Sequence, residues 1–441
     1  MKVVVLGSGE SGTGAALLAA SKGYAVWVSE AGEIGAANRD HLLAAGIPFE
    51  EGGHTLDRMR DAEVVIKSPG IPDRAPIVEA LKSLGIPVIG EIEFAYRHLP
   101  EGAKIIGITG SNGKTTTTLL TYHLLLEAGV DVALGGNVGR SFAALLLERP
   151  YAWYVLELSS FQLDGIHTFR SDIGMLLNVS PDHLDRYDYQ MDLYVASKFR
   201  VVLNMGTSGV CLFNGGDPVL QSFIQAGDWQ HSWEAIGDDV SDGEDLHAGG
   251  ATFRLRNPML QGRHNRMNAL FAIRAAQILG LSRDVIQRGL ETFVNHPHRL
   301  EPIGTIDGIS FINDSKATNT DAVGYALDAM KAPVVWIVGG QDKGNDYMPL
   351  LPLVREKVKA IICMGIDNRP ILEAFGALGK PMEEVRSAAA AVEVAYRMAS
   401  SGDVVLLSPA CASFDLFKNY LDRGEQFRFA VKELAKRSGQ V

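Results

Sequence analysis

Short apolar runs, each cut off by glycine or a polar residue, recur along this 441-residue chain. Val3-Val4-Val5-Leu6 is the first, followed by a glycine-rich turn and a helical stretch over Ala15 to Lys22. A second strand, Ala25 to Val28, ends at Ser29-Glu30. Val64-Val65-Ile66 runs into Ser68-Pro69-Gly70, and Pro87-Val88-Ile89 stops at Gly90. Strands alternating with helices predict a parallel, doubly wound sheet.

A second unit begins with the strand Lys104 to Thr109, a glycine loop and a long helix, Thr115 to Glu127. Later strands end at Glu157, at Asn178 and near Asn214. His231 to Arg256 is more polar and glycine-spaced, and reads as short antiparallel strands or a surface excursion. Helices from Arg266 to Leu279 and from Asp284 close the unit. The pattern then repeats, with strands ending at Asn313, Gly339, Gly365 and Ser408 and a charged amphipathic helix over Gly424 to Ser438. Boundaries near Glu93 and near His296-Pro297-His298-Arg299 give an α/β protein of three domains, 1–93, 94–298 and 299–441. Length agrees, at roughly 150 residues per domain. In open parallel sheets ligands bind at the carboxyl ends of the strands, so the residues just after each strand carry the information.

Charge narrows the classes of partner. Lys plus Arg is 41 against 52 for Asp plus Glu, a net −11, which argues against a general binder of nucleic acid or membrane surfaces. It does not exclude an anionic small molecule, which feels the local site. The three cysteines, Cys211, Cys363 and Cys411, are far apart and form neither a metal pair nor a disulfide framework, so a reducing compartment is expected. Met1-Lys2 leads into a strand rather than a signal-peptide core, and no apolar run approaches the ~18 residues of a membrane span. A cytoplasmic monomer is the expectation.

Two glycine loops carry candidate chemistry. Gly7-Ser8-Gly9-Glu10-Ser11-Gly12 follows a strand, with Glu30 at the end of the next strand. Close backbone approach and the amides of a helix N-terminus suit a diphosphate, and an acid at that separation suits a ribose. Any nucleotide diphosphate fits this cradle, and so does a tight turn that merely packs helix on sheet. Gly107-Ile108-Thr109-Gly110-Ser111-Asn112-Gly113-Lys114-Thr115-Thr116 resembles a P-loop. Gly113 permits the turn, Lys114 neutralises terminal phosphates and the Thr115 hydroxyl suits Mg²⁺. Ile108 stands where the usual P-loop spacing has its first glycine, which points toward a variant ATP loop.

Other strand ends add polar residues: Asn137 after Leu134-Gly135-Gly136, Glu157 followed by Ser159 and Gln162, and His183 in an Asp-rich turn. A Glu at a strand end beside a P-loop is a natural Mg²⁺ ligand and is costly to bury otherwise. Lys198, on a helix just beyond, reads from residue type alone as a surface lysine.

Thr109 to Thr116, Glu157 to Gln162, Asn178 to Asp185, and His264-Asn265 with Asn268 resemble the Mur ligase family. Pro297-His298-Arg299, Asn313 to Asn319, Gly339-Gly340 with Lys343, and Ser408 to Asp415 are similar to its D-glutamate-adding members. The resemblance implies a Rossmann-like N-terminal domain for the UDP substrate, a central P-loop ATPase-like domain and a C-terminal Rossmann-like domain for the amino acid. It implies an ATP-dependent amide ligase that joins D-glutamate to UDP-N-acetylmuramoyl-L-alanine through an acyl phosphate, using two Mg²⁺ ions.

By the same resemblance Gly110 to Thr116, Asn268, Arg299 and Asp314 would bind ATP. Thr115 and Glu157 would hold one Mg²⁺, and His183 with a carbamylated Lys198 the second. Lys114, His183, Lys198 and Lys316 would carry the chemistry. Gly9, Glu10, Ser11, Glu30, Ser68, Pro69, Gly70, Asn137, Ser159, Gln162 and His183 would contact the UDP substrate. Thr318, Lys343, Ser413, Phe414 and Tyr420 would hold D-glutamate. One departure stands out: family members often carry a hydroxyl or basic residue just after the acid that ends the second strand, and here Glu30 is followed by Ala31-Gly32. Two other classes stay open on the residues alone. A nicotinamide-dependent oxidoreductase accounts for the first loop and Glu30, and a nucleotide-binding switch accounts for the second loop.

Overall fold

The computed structural model describes residues 1–237, 244–260, 262–295, 297–342 and 344–439. Three open sheets follow one another along the sequence. The first is wholly parallel, in the order Phe49–Glu50, Ala25–Ser29, Lys2–Leu6, Val64–Lys67, Val88–Gly90. Its strands are apolar at consecutive positions because both faces are covered. Val3, Val5 and Ile66 pack under Ala15, Ala16 and Ala19 on one side, while Val4, Leu6 and Val65 pack against Met59, Val78 and Leu81 on the other.

The second sheet is also parallel, in the order Ser232–Ile236, Val210–Asn214, Ile173–Leu176, Lys104–Thr109, Trp153–Glu157, Val132–Gly136. The start of the polar stretch after His231 is therefore neither antiparallel nor an excursion: Ser232–Ile236 is the parallel edge strand. Its Trp233 packs with Phe199, Phe213 and Trp229, which pins an otherwise polar segment. Asp245–Ala248 and Ala251–Arg254 pair beyond it as a two-stranded sheet.

The third sheet runs Glu301–Ile306, Ile309–Asn313, Val404–Leu407, Val334–Val338, Val358–Met364, Met382–Val385. Only its first strand is antiparallel, and that strand carries a bulge between Pro302 and Gly304, residues that obscure it in the sequence. No described helix is long and apolar enough to cross a membrane.

The chain divides into two compact units, one carrying the first two sheets and residues 268–290, the other carrying the third sheet. Inside the first unit the two sheets are sewn together by the short helix Glu91–Tyr96. Glu93 accepts the backbone N–H of His167, Thr168 and Phe169 at 2.8, 2.8 and 2.9 Å and the Thr168 hydroxyl at 2.7 Å. Burial alone would raise its pKa, but these donors hold it down at about 2. Gly90 donates to Gly165 O at 2.8 Å, and a Cβ on Gly90 would stand 3.3 Å from the Gly165 backbone.

Candidate active site

The strand Lys2–Leu6 ends in Gly7, at φ +86°, and the helix Glu10–Ser21 starts three residues later. The helix therefore begins inside the glycine motif, five residues before its apolar pattern becomes visible at Ala15. A Cβ on Gly12 would lie 1.9 Å from Gly7 O, so only glycine lets the helix pack this close to the strand end. Gly9 caps the helix with no side-chain bond, which leaves its first amides for an anion. Glu30 turns its carboxylate into the loop, accepting from Ser8 N at 2.7 Å, Ser8 Oγ at 2.8 Å and Gly32 N at 3.1 Å. Partial burial would raise its pKa, but these bonds keep it below the usual carboxylate value. Gly9, Glu10, Ser11, Glu30, Ser68, Pro69 and Gly70 line one cleft of about 940 Å³. Ser68 Oγ is buried there with no hydrogen-bond partner among the described residues.

The second loop is built by its neighbour strand. Asn178, two residues past the strand Ile173–Leu176, accepts Ser111 N at its carbonyl (3.0 Å) and Asn112 N at Oδ1 (2.8 Å), and its amide donates to Asn112 O. Ser111 Oγ donates to Ser180 O at 2.8 Å. Gly113 opens the helix Lys114–Glu127 at φ +82°, and a Cβ there would sit 2.4 Å from Asn268 Oδ1. Lys114 Nζ donates to Gly110 O at 2.7 Å and Ser111 O at 2.8 Å.

Lys198 is not a surface cation. It is 1% exposed, and its Nζ donates to the same Gly110 carbonyl at 2.8 Å. Its helix, Met191–Phe199, turns Lys198 inward together with Tyr194, whose ring centroid lies 4.3 Å from Nζ. Burial, and then the nearby charge of Lys114, push its pKa well below the ordinary lysine value.

Thr115 and Glu157 are each 1% exposed, and Asn137 Nδ2 donates to Glu157 Oε1 at 2.7 Å. Thr116, next to Thr115 in sequence, is also buried. One hydroxyl and one carboxylate are hard oxygen donors that suit Mg²⁺, which keeps waters and phosphate oxygens as its other ligands. No cluster of three or more His, Cys, Asp or Glu stands ready for a metal among the described residues, so an all-protein cage is not what this donor set offers. His183 adopts the left-handed conformation at φ +52°, with its ring 5.3 Å from that of Phe161. Asp188 and Tyr189 share that conformation, and such backbone clusters at functional loops. Ser159 and Gln162 form a capping box at the start of the helix Ser160–Asp164, a local role that their S-x-x-Q spacing suits.

In the other unit, Asp314 lies just past the strand Ile309–Asn313. It accepts Ser408 Oγ at 2.9 Å and Leu300 N at 3.2 Å, and burial pushes its pKa up to about 7. The charge of Arg299 acts on both Asp314 and the half-buried His264. Lys316 places its ammonium 5.1 Å from the Tyr420 ring centroid. Ser413 is buried, Thr318 is exposed and Phe414 is 66% exposed. Lys343 lies outside the described residues.

Comparison with known proteins fits this geometry. Residues 2–77 match the MurD N-terminal domain, 108–276 the Mur ligase middle domain and 298–411 the Mur ligase, glutamate ligase domain. The chain is 48% identical to the UDP-N-acetylmuramoylalanine--D-glutamate ligase of Cytophaga hutchinsonii, over 98% of this chain and 99% of that one. It is 45% identical to the enzyme of the same name from Bacteroides fragilis, over 98% of this chain and all of that one. The chain belongs to the Mur ligase family. Its fold also resembles the crystal structure of UDP-N-acetylmuramate-alanine ligase from Thermotoga maritima, at TM-score 0.63 and 19% identity over 98% of this chain and 100% of that one.

Two residues outside the motifs read from the sequence also shape this Mur ligase. Arg423, wholly buried on the helix Tyr420–Arg437, donates to Ser315 Oγ (3.0 Å), Ser315 O (2.8 Å) and Cys411 O (3.1 Å). It clamps the loop that carries Lys316 to the loop that carries Ser413. An arginine on a charged amphipathic helix gives no sequence signal of this. The second is His54, which lines the first cleft.

Proposed function

We propose that this chain joins D-glutamate to UDP-N-acetylmuramoyl-L-alanine with conversion of ATP to ADP and phosphate, a step of peptidoglycan precursor synthesis. The observation that carries the chemistry is the pair of lysine amines on one carbonyl of the second glycine loop, Lys114 and Lys198 on Gly110 O. Attack of the substrate carboxylate on the γ-phosphorus gathers negative charge at one point. Lys114 and the loop amides offset it. The P–O bond to ADP breaks as the acyl phosphate forms. The amine of D-glutamate then adds to the carbonyl, and the tetrahedral intermediate expels phosphate to leave the amide.

Thr115 and Glu157 would hold one Mg²⁺ against the ATP phosphates, and His183 with Lys198 a second. Bound Mg²⁺ supplies positive charge where phosphate and carboxylate oxygens crowd together. For that role Lys198 becomes a carbamate: its neutral amine adds to CO₂ and loses a proton, leaving an anionic oxygen ligand. Burial favours the neutral amine that this addition needs. The first cleft takes the UDP substrate. Arg299, Asp314 and Asn268 serve ATP, Lys316 the acyl-phosphate region, and Thr318, Lys343, Ser413, Phe414 and Tyr420 take D-glutamate. Domains 1–93, 94–298 and 299–441 divide these tasks in a monomer that works in the cytoplasm, where its substrates are.

A phosphate-release assay with a panel of amino acids tests the reading. Phosphate should appear only when ATP, UDP-N-acetylmuramoyl-L-alanine and D-glutamate are all present. Equal turnover with L-lysine or diaminopimelate would move the chain to a neighbouring ligase, and tight NAD binding without ATP binding would replace the reading altogether.

A further inference from the structure

The first cleft has a polar side chain for the nucleobase that the sequence pattern does not supply. The residue after Glu30 is Ala31, whose side chain offers a base no hydrogen bond, and the oxygens of Glu30 already accept from Ser8 and Gly32. The adjacent outer strand ends beside it, with Ser29 in register with Glu50. The loop after that strand brings His54 into the cleft alongside Glu30 and Ala31. Moving outward across the strand ends, the glycine turn comes first, then Glu30, then His54. A nucleoside diphosphate laid on these ends puts phosphate, ribose and base in the same order.

The hydrogen bonds of Ser29 fix which imidazole nitrogen carries the proton. Ser29 is wholly buried and has one hydroxyl hydrogen. Its Oγ lies 2.7 Å from Glu50 Oε1 and 2.7 Å from His54 Nδ1. Burial would raise the pKa of Glu50, but hydrogen bonds including those from Thr55 and Ser29 hold it below the usual value, so it is a carboxylate and only accepts. The hydroxyl hydrogen therefore goes to Glu50, and Nδ1–H of His54 donates to Ser29. In the neutral ring that leaves Nε2 as an acceptor.

We propose that His54 is the base-selecting residue of this site, its Nε2 accepting the N3–H of uracil. Cytosine presents a lone pair at N3 and meets Nε2 acceptor to acceptor. The inference rests on the reading of the cleft as the UDP-substrate site.

Calorimetric titration of the intact protein with UDP, CDP and 3-methyluridine diphosphate tests it. UDP should bind about tenfold more tightly than the other two, the worth of one hydrogen bond. His54→Leu should bring UDP down to their level. In ligation it should raise the KM for the nucleotide substrate with kcat at saturation unchanged. His54→Gln, whose amide can turn its carbonyl to uracil N3–H or its N–H to cytosine N3, should bind UDP and CDP alike while still binding UDP more tightly than 3-methyluridine diphosphate. If the protein binds 3-methyluridine diphosphate as well as UDP, or if His54→Leu keeps the preference, the inference is wrong while the ligase reading stands. If the protein binds no nucleoside diphosphate and releases no phosphate in the ligase assay, both fall.

Discussion

Two glycine turns in this molecule have the same backbone plan and opposite electrostatics. Each follows an interior strand of a parallel sheet, and each opens a helix at a glycine cap without a side-chain bond. At the first turn the Glu30 carboxylate takes the Ser8 amide for itself. At the second, Lys114 and Lys198 converge on Gly110 O. A carboxylate beside spare amides suits a ligand with hydroxyls next to its diphosphate. A lysine beside spare amides, with a second buried amine available to become an Mg²⁺-holding carbamate, suits a triphosphate under attack. The motif specifies where the backbone approaches, and the side chains brought in from other elements decide what approaches it.

Removing Lys198 attacks that difference most directly. Lys198→Ala should cost roughly 4 kcal/mol of transition-state stabilisation, about a thousandfold in turnover. Added short-chain carboxylate should recover part of it, because the missing group is an anionic oxygen. Steady-state assays with and without the carboxylate read both effects, and full activity in the variant would end the carbamate proposal. Lys114→Ala should cost on the order of 3 kcal/mol in kcat/KM, with unfolding by denaturant unchanged. A rate near that of the parent protein would show that the second turn is no more charge-selective than the first.

Much of this contrast is legible in the sequence, and the missing part has one cause. Strand, glycine and helix lie within a dozen residues of each other, so both turns and the acid Glu30 can be read directly. Lys198 is 88 positions from the carbonyl that it bonds, and its residue type argues for the surface. Only the family resemblance reverses that. Arg423 and His54 have no motif to mark them, because each acts through a bond across the fold. The edge strand Ser232–Ile236 escapes the sequence for a related reason: its polar residues mask a strand held by aromatic packing at Trp233.

The two turns also share a seam, and its ionisation is open to measurement. Glu91 is 2% exposed, and burial, with the charge of Glu10 also acting on it, raises its pKa from 4.5 to about 7, against the pull of the Ala143 amide at 2.6 Å. Its folded pKa is above its unfolded one, so its contribution is full below the unfolded value and is lost as pH rises through the folded value. Stability should therefore fall by about 2 kcal/mol between about pH 5 and about pH 8 on account of this group. Glu91→Gln keeps the acceptor for Ala143 and should remove that slope in denaturant titrations. A slope unchanged by the substitution would place the titrating group elsewhere, with Asp314 next in line in the other unit.

The smallest effect separates the two turns by backbone alone. At Gly113 the backbone stands at φ +82°, and a Cβ would meet Asn268 Oδ1 at 2.4 Å. Gly113→Ala should lose about 1 kcal/mol in stability and weaken ATP binding, since it strains the loop and displaces a residue of the nucleotide site. Gly9 sits at φ −67°, and a Cβ added there would have no atom within 4 Å. Gly9→Ala should stay within about 0.5 kcal/mol of the parent, because lost freedom in the unfolded chain offsets the poorer helix cap. Thermal unfolding of the two variants side by side, with ATP and UDP titrations, reads the contrast. If Gly9→Ala proves the more damaging of the two, the first turn is tighter around its ligand than its open geometry allows, and the diphosphate must approach within van der Waals contact of Gly9 itself.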